Sequence, residues 1–238
     1  MVRRAFSAAF VTTIPVMLGY LSIGIAFGLM IQSIGYDFLW AAMMSIVIYA
    51  GSMQYVAVDL LHRGAGYIEV AIMTFLVQAR HIVYGLSLIE KFKKVGRKKF
   101  YMIFALTDET YALLSSAKAP EGINEQIYYF AIALLDHCYW ITGGVIGALA
   151  GSLINFNIKG VDFAMTALFI VIATEQWLTS KSHASAFIGG GCAAAALILF
   201  GANNMLIPAM IAMTVILLSF SKKLDVLYAL EPAKEKED

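Results

Sequence analysis

The chain has 238 residues, 61% of them hydrophobic and only 14% charged, and its mean hydropathy is +0.77. Soluble domains are about 45–50% apolar and about 25% charged, so a sizeable soluble domain is excluded, and at about 20 residues per bilayer-spanning helix there is room for about eight spans. The net charge of +1 supplies no basic surface patch, which excludes nucleic acid as a partner.

Apolar segments run over 6–31, 38–61, 66–90, 100–117, 126–154, 162–180, 185–201 and 204–221, separated by short polar breaks. Arg3 and Arg4 precede the first segment, and no small-residue cleavage site leads into a polar chain, so it reads as a retained span rather than a signal peptide. Pro15 with Gly19 is expected to break or bend that helix and free backbone groups for a substrate. Gly24 and Gly28, at four-residue spacing after Tyr20, suit close helix packing. The second segment holds Tyr49-Ala50-Gly51-Ser52-Met53-Gln54-Tyr55, where Gly51, Ser52 and Gln54 either join helices or touch substrate. The third carries Gln78-Ala79-Arg80-His81 at its middle, and the fourth carries Asp108-Glu109 with Tyr111 beside them. Asp136-His137 comes early in 126–154 and Glu175-Gln176 late in 162–180, both placed as wet helix ends; Asp59 and Glu69 read as peripheral. Ser182 to Ser221 contains no Asp, Glu, Lys or Arg, and 222–238 forms a charged tail after a single transmembrane domain over 1–221. No segment alternates in strand fashion, and helices satisfy their backbone inside lipid, so the fold class is all-α and polytopic.

Threading these segments through a bilayer meets a conflict. With Arg3 and Arg4 inside, 6–31 exits and 38–61 returns to place Arg63 inside. A plain crossing by 66–90 then leaves the basic run Lys91, Lys93, Lys94, Arg97, Lys98 and Lys99 outside, against the positive-inside rule. The reading that avoids this makes 66–90 two half-helices that enter and return, broken near Arg80, with 100–117 a single span. An internal repeat accompanies it. Tyr20-x3-Gly24-x3-Gly28 recurs as Tyr139-x3-Gly143-x3-Gly147, Gln54-Tyr55 as Gln176-Trp177, and Ala79-Arg80-His81-Ile82 falls opposite Ala202-Asn203-Asn204-Met205. The halves, about 12–90 and 131–213, are expected to be inverted, a transporter signature with its site near the midplane.

A charge at the bilayer centre costs about 2.5–3.5 kcal/mol on insertion scales, so it faces a cavity or a partner. Arg80 is either a two-pronged donor to a substrate carboxylate or a structural partner of a buried acid. His81 is a candidate proton relay or a hydrogen-bonded core histidine. Asp108 and Glu109 point about 100° apart on a helix, so one is expected to neutralise Arg80 or receive an ammonium while the other carries a proton. Cys138 and Cys192 are isolated in apolar stretches and read as core hydrophobes. Without G-x-S-x-G, H-E-x-x-H, Walker A or Cys/His clusters, neither catalytic residues, nor a metal, nor a cofactor are expected.

Pro15-x3-Gly19-Tyr20-x3-Gly24-x-Ala26-Phe27-Gly28, Tyr49-Ala50-Gly51-x2-Gln54, Arg80-His81-x2-Tyr84-x2-Ser87-Leu88 and Asp108-Glu109-x-Tyr111 together resemble the AzlC-type branched-chain amino acid permeases. The resemblance runs in order over nearly the whole chain, with weaker marks after Asp136. It implies a prokaryotic plasma-membrane permease subunit that exports leucine, isoleucine, valine and often methionine, working with a small AzlD-type membrane subunit. By position it assigns substrate contact to Pro15, Gly19, Tyr20, Tyr49, Gly51, Gln54, Arg80, His81 and Tyr84, and proton coupling or charge pairing to Asp108, Glu109 and Asp136. A secondary, proton-coupled exporter is the expected function, with homo-oligomers left open. The rival readings are an ion or small-solute channel, an intramembrane enzyme pairing Asp108 with Asp136, and a non-transporting assembly subunit.

Overall fold

The computed structural model describes residues 2–93, 95–153, 183–201 and 205–230, with Thr166, Ile170, Ala173, Thr174, Trp177 and Leu178. These described residues contain helices and no strand, in two compact units, Met1–Ala167 and Leu168–Asp238. The first unit holds α1 (Val2–Ser33), α2 (Phe38–Val47), α3 (Gly51–His62), α4 (Tyr67–Gln78), α5 (Arg80–Ser87), α6 (Ile89–Lys93), α7 (Lys99–Phe104), α8 (Asp108–Ser116) and α9 (Glu125–Leu153). The second holds α10 (Ala184–Phe200) and α11 (Leu206–Leu230), so a helix continues into the segment expected as a charged tail. Glu175, Gln176 and Ala202–Asn204 lie outside the described residues.

The core of the first unit is the α1–α9 pair, two helices each long and apolar enough to cross a membrane. A Cβ on Gly24 would stand 3.1 Å from Gly143 Cα, and one on Gly28 would overlap Gly144 O. One on Gly143 would stand 2.9 Å from Tyr20 O, and one on Gly147 would overlap Ile25 O. Only glycine allows this approach, so the spacing motif does close packing, as expected. Contacts advance together along both helices, from Thr12 Oγ1 at 2.8 Å from Tyr128 Oη to Gln32 against Gly151, so the two run parallel. The copies of the Tyr-x3-Gly-x3-Gly motif therefore meet in the same orientation, which corrects the expected inversion: helices related by an axis in the membrane plane run oppositely. α1 also continues through Pro15 rather than breaking there. Proline removes one ladder bond, to the carbonyl of Val11, and a helix held along most of its length by α9 tolerates that loss.

Contacts between side chains fix the directions of the shorter helices. α5 and α6 run alongside α8 in the same sense: Arg80 and Tyr84 reach Asp108, Ser87 reaches Tyr111, and Lys91 reaches the carbonyls of Leu114 and Ala117. α8 opposes α9, because Thr110 meets Asp136 whereas the carbonyl of Ala117 meets Tyr129. α7 runs with α9, since Lys98 lies over Phe130 while Tyr101 and Phe104 reach His137. The chain thus goes in as α7, turns at Ala105-Leu106-Thr107 and comes back as α8. The expected single span over 100–117 is two half-helices, about 9 and 14 Å long at about 1.5 Å per residue.

The expected break in 66–90 falls at Ala79, but α4 and α5 are bent by only 44°. A turn back on itself needs far more, so this pair keeps one general direction over about 30 Å, the thickness of a hydrocarbon core. It ends with the basic run at the end of this first unit where α1 and α9 begin. It starts, with Arg63 just before it, at the end where Ser33 lies, and α2 starts there too. The in-and-back element is therefore the α2–α3 pair, and Arg63 lies away from Arg3 and Arg4, correcting both expectations. The turn is built by Tyr49, whose φ of 42° ends α2 in the left-handed region, rare for a non-glycine residue.

Candidate functional site

The Ala79 break adjoins Arg80, which reaches Ser52 and Asp108, and two further breaks face the α1–α9 pair: Ile48–Ala50, whose Tyr49 stacks on His137, and Ala105–Thr107, whose Thr107 meets Tyr20. The last is a helix start inside an apolar stretch. Thr107 caps α8 by accepting from Thr110 N at 3.3 Å, and Asp108 and Glu109 occupy the first turn, where the helix dipole favours acids. This capping pattern was legible as Thr107-Asp108-Glu109-Thr110 but lay hidden in the hydropathy of 100–117.

Arg80 Nη1 stands 2.8 Å from Asp108 Oδ2 and Nη2 donates to Ser52 Oγ at 2.8 Å, while Nε is buried without a partner. Asp108 Oδ1 accepts from Tyr84 Oη at 2.8 Å, and Tyr84 stacks on Tyr111 with centroids 4.4 Å apart. Of the two neighbouring acids, Asp108 is the one that neutralises Arg80. Glu109 turns the other way: its Oε2 accepts from Tyr20 Oη at 2.8 Å, and no cation lies within ion-pair distance among the described residues.

Asp136 is fully buried, not a wet helix end. The reason is that α8 folds back over α9, which starts at Glu125 much as expected, and brings Thr110 onto the carboxylate three turns along the helix. Its Oδ2 accepts from Thr110 Oγ1 at 2.9 Å, and Oδ1 has no partner. Asp136 and Asp108 thus face different partners and form no acid pair. His137, also buried, places Nδ1 2.8 Å from Tyr101 Oη and Nε2 3.0 Å from Ser45 O, with Tyr49 stacked on its ring.

Gln54 is fully buried and its amide is consumed structurally. Oε1 accepts from Ala50 N at 3.2 Å and from Trp140 Nε1 at 2.8 Å, while Nε2 donates to Ser45 Oγ at 3.4 Å. It holds the α2–α3 turn against α9, one of the two roles weighed for it in the sequence, whereas the resemblance assigned it to substrate contact. Gly51 lies against the Trp140 ring, where a Cβ would stand 3.4 Å away. His81 Nδ1 lies 3.3 Å from Gln78 O and its ring meets Tyr84 edge-on, and among the described residues it forms no ion pair. Pro15 is exposed and Gly19 has open space around it, so neither joins this cluster. Cys138 is exposed rather than core. Asp59 and Glu69 are peripheral, holding Arg63. Ser52, named with Gly51 and Gln54 in the sequence, holds Arg80, and Thr107, Thr110, Tyr101 and Trp140, which were not singled out by residue type, complete the polar centre. Among the described residues no group of three His, Cys, Asp or Glu is placed to hold a metal ion.

Broken helices that gather opposed charges and hydroxyls between membrane-crossing helices define a multi-pass membrane transport protein. Residues 15–154 match the AzlC protein family, and the chain belongs to it. It is 42% identical over 221 residues to the branched-chain amino acid transport protein AzlC of Bacillus subtilis, covering 93% of this chain and 87% of that one. An uncharacterized membrane protein of Helicobacter pylori strain J99 is 41% identical, covering 93% and 97%, and the inner membrane protein YgaZ of Escherichia coli K12 is 28% identical, covering 74% and 76%. No solved structure matches. The family is one of transport proteins rather than enzymes, and the chain resides in the prokaryotic plasma membrane.

Proposed function

We propose that this chain exports branched-chain amino acids, with methionine as a further substrate, by proton-coupled secondary transport alongside a small AzlD-type membrane subunit. The observation that carries the reading is Glu109, an acid without a cation, set beside the Arg80–Asp108 pair where helix breaks converge. In this reading the substrate ammonium meets Glu109. The carboxylate takes the spare Arg80 Nε and the guanidinium edge that Asp108 releases. Phe104 and Met53, beside the same breaks, flank the aliphatic group. The membrane topology that goes with it has Arg3, the basic run and Glu125 inside, α2–α3 re-entrant from outside and α7–α8 re-entrant from inside. It removes the positive-inside conflict without folding 66–90 back. The named substrate of the Bacillus subtilis relative supports the choice of amino acid.

The test is co-reconstitution of the chain in liposomes with and without the small subunit, followed by labelled leucine counterflow. Saturable exchange that is accelerated by an imposed pH gradient is expected with both chains present. Non-saturating flux would assign a channel instead, and full flux from the partner alone would make this chain an assembly subunit.

A further inference from the structure

Glu109 and Asp136 are joined by an unbroken chain of hydroxyls. Tyr20 Oη contacts Glu109 Oε2 at 2.8 Å and also Thr107 Oγ1; Thr107 Oγ1 is 3.0 Å from Thr110 Oγ1, which is 2.9 Å from Asp136 Oδ2. The three links after Glu109 are buried. Each link needs one proton between two oxygens. The chain has four links and three hydroxyls, so the fourth proton comes from a carboxyl group.

We propose that Glu109 and Asp136 hold one proton between them and that Tyr20, Thr107 and Thr110 relay it. When Glu109 carries the proton, it donates to Tyr20, Tyr20 to Thr107, Thr107 to Thr110, and Thr110 to ionised Asp136. When Asp136 carries it, every donor reverses: Asp136 gives to Thr110 and Tyr20 gives to ionised Glu109. Passage between the two states breaks and forms one O–H bond at each hydroxyl and moves one proton from carboxyl to carboxyl, with no other reactant. The Thr110 N–H to Thr107 bond survives in both states, since a hydroxyl oxygen accepts twice.

A second observation fits this sharing. Asp136 is 0% exposed, its Oδ1 has no partner, and no cation pairs with it among the described residues. An unpaired buried carboxylate is costly, and a proton removes that cost. The other charged and titratable groups facing the chain are engaged elsewhere: Arg80 with Asp108, Tyr84 with Asp108, His137 with Tyr101 and Ser45, and Tyr139 with Thr13. Tyr49, from the α2–α3 turn, stacks its ring on His137, but its buried hydroxyl faces the chain itself, toward Thr110, Tyr20 and Asp136, without a hydrogen-bond partner of its own. The relay rests on the coupled-export reading for its use, though not for its existence. Glu109 is the end that meets the substrate ammonium, and loading it would send the proton to Asp136.

Infrared difference spectroscopy of the purified full chain at neutral pH, in light and heavy water, tests this without substrate or gradient. Wild type is expected to show a protonated-carboxyl C=O band of one carboxyl per chain. Glu109→Gln and Asp136→Asn are each expected to abolish it, because the amide N–H supplies the fourth proton and leaves the remaining acid ionised. Thr110→Ser should keep the band in place, and Thr110→Val should shift or remove it. No band in wild type, a band surviving in either amide variant, or one unmoved by Thr110→Val would overturn the proposal. Absent leucine counterflow with these results intact would instead strike the transport reading.

Discussion

Arg80 Nη1 and Asp108 Oδ2 lie 2.8 Å apart, the one at the start of α5 beyond the Ala79 break and the other in the first turn of α8. The pair ties a bent crossing helix to the returning half of a helix hairpin, and both side chains keep about 30% of their surface exposed. Removing one partner of a fully buried pair costs about 3–5 kcal/mol, and this partly wet pair is expected to cost less. Arg80→Gln should lower leucine counterflow at least ten-fold while the protein level stays within two-fold. Asp108→Asn in the same background should restore packing, read as thermal stability by size exclusion, but not transport. Full export by Arg80→Gln at a normal protein level would remove Arg80 from the site.

Glu109 is expected to matter through charge. Glu109→Gln keeps the Tyr20 contact and the helix N-terminus but removes the anion, so leucine affinity in counterflow should fall about ten-fold, the worth of about 1.4 kcal/mol. Binding of the ammonium-free analogue 4-methylpentanoate should be unchanged or improved. Equal losses for both ligands would show that Glu109 shapes the site without contacting the ammonium.

The sequence carried the membrane class, the helical fold and the charges Arg80, Asp108 and Glu109, because buried charge stands out against hydropathy; Tyr20 stood out only through its glycine-spaced motif. It concealed the turns at Tyr49 and at Ala105–Thr107, since neither contains the glycine or proline that usually announces a reversal. Tyr49 takes up a positive φ while its ring stacks on His137, and the α3 start is held by Gln54 from four residues ahead. Those are tertiary causes. Asp136 was misplaced for the same reason: its depth depends on α8 folding back over α9, which no local pattern records.

Two glycines of α1 separate packing from open space. Gly28→Ala places a Cβ onto Gly144 O and close to Ala148 N, backbone atoms that cannot move aside without parting α1 from α9. Overpacking costs about 1–3 kcal/mol where side chains yield, and a backbone clash belongs at or above the upper end. Gly19→Ala meets nothing within 4 Å and should gain slightly, by helix propensity. The check is the midpoint of thermal aggregation followed by size exclusion, where Gly28→Ala should fall well below wild type and Gly19→Ala match or exceed it.

The helix directions make a labelling prediction that inverts the one hydropathy suggests. If 100–117 crossed the membrane, cysteines at Gly96 and Gly122 would face opposite sides. In the structure α7 runs with α9 and α8 against it, so the loops flanking that hairpin lie at one end, beside Lys91 and Tyr129. Single cysteines at Gly96 and Gly122, placed in a chain lacking Cys138 and Cys192, should therefore react from the same face, the cytoplasmic one by its cluster of Lys and Arg. A cysteine at Gly64 should react only from the other face, because α4 crosses toward the basic run despite its 44° bend. An impermeant maleimide applied to whole cells and to inverted vesicles distinguishes the cases. Labelling of Gly64 and Gly96 from one side would mean that 66–90 turns back after all, and the re-entrant assignment of α2–α3 would fall with it.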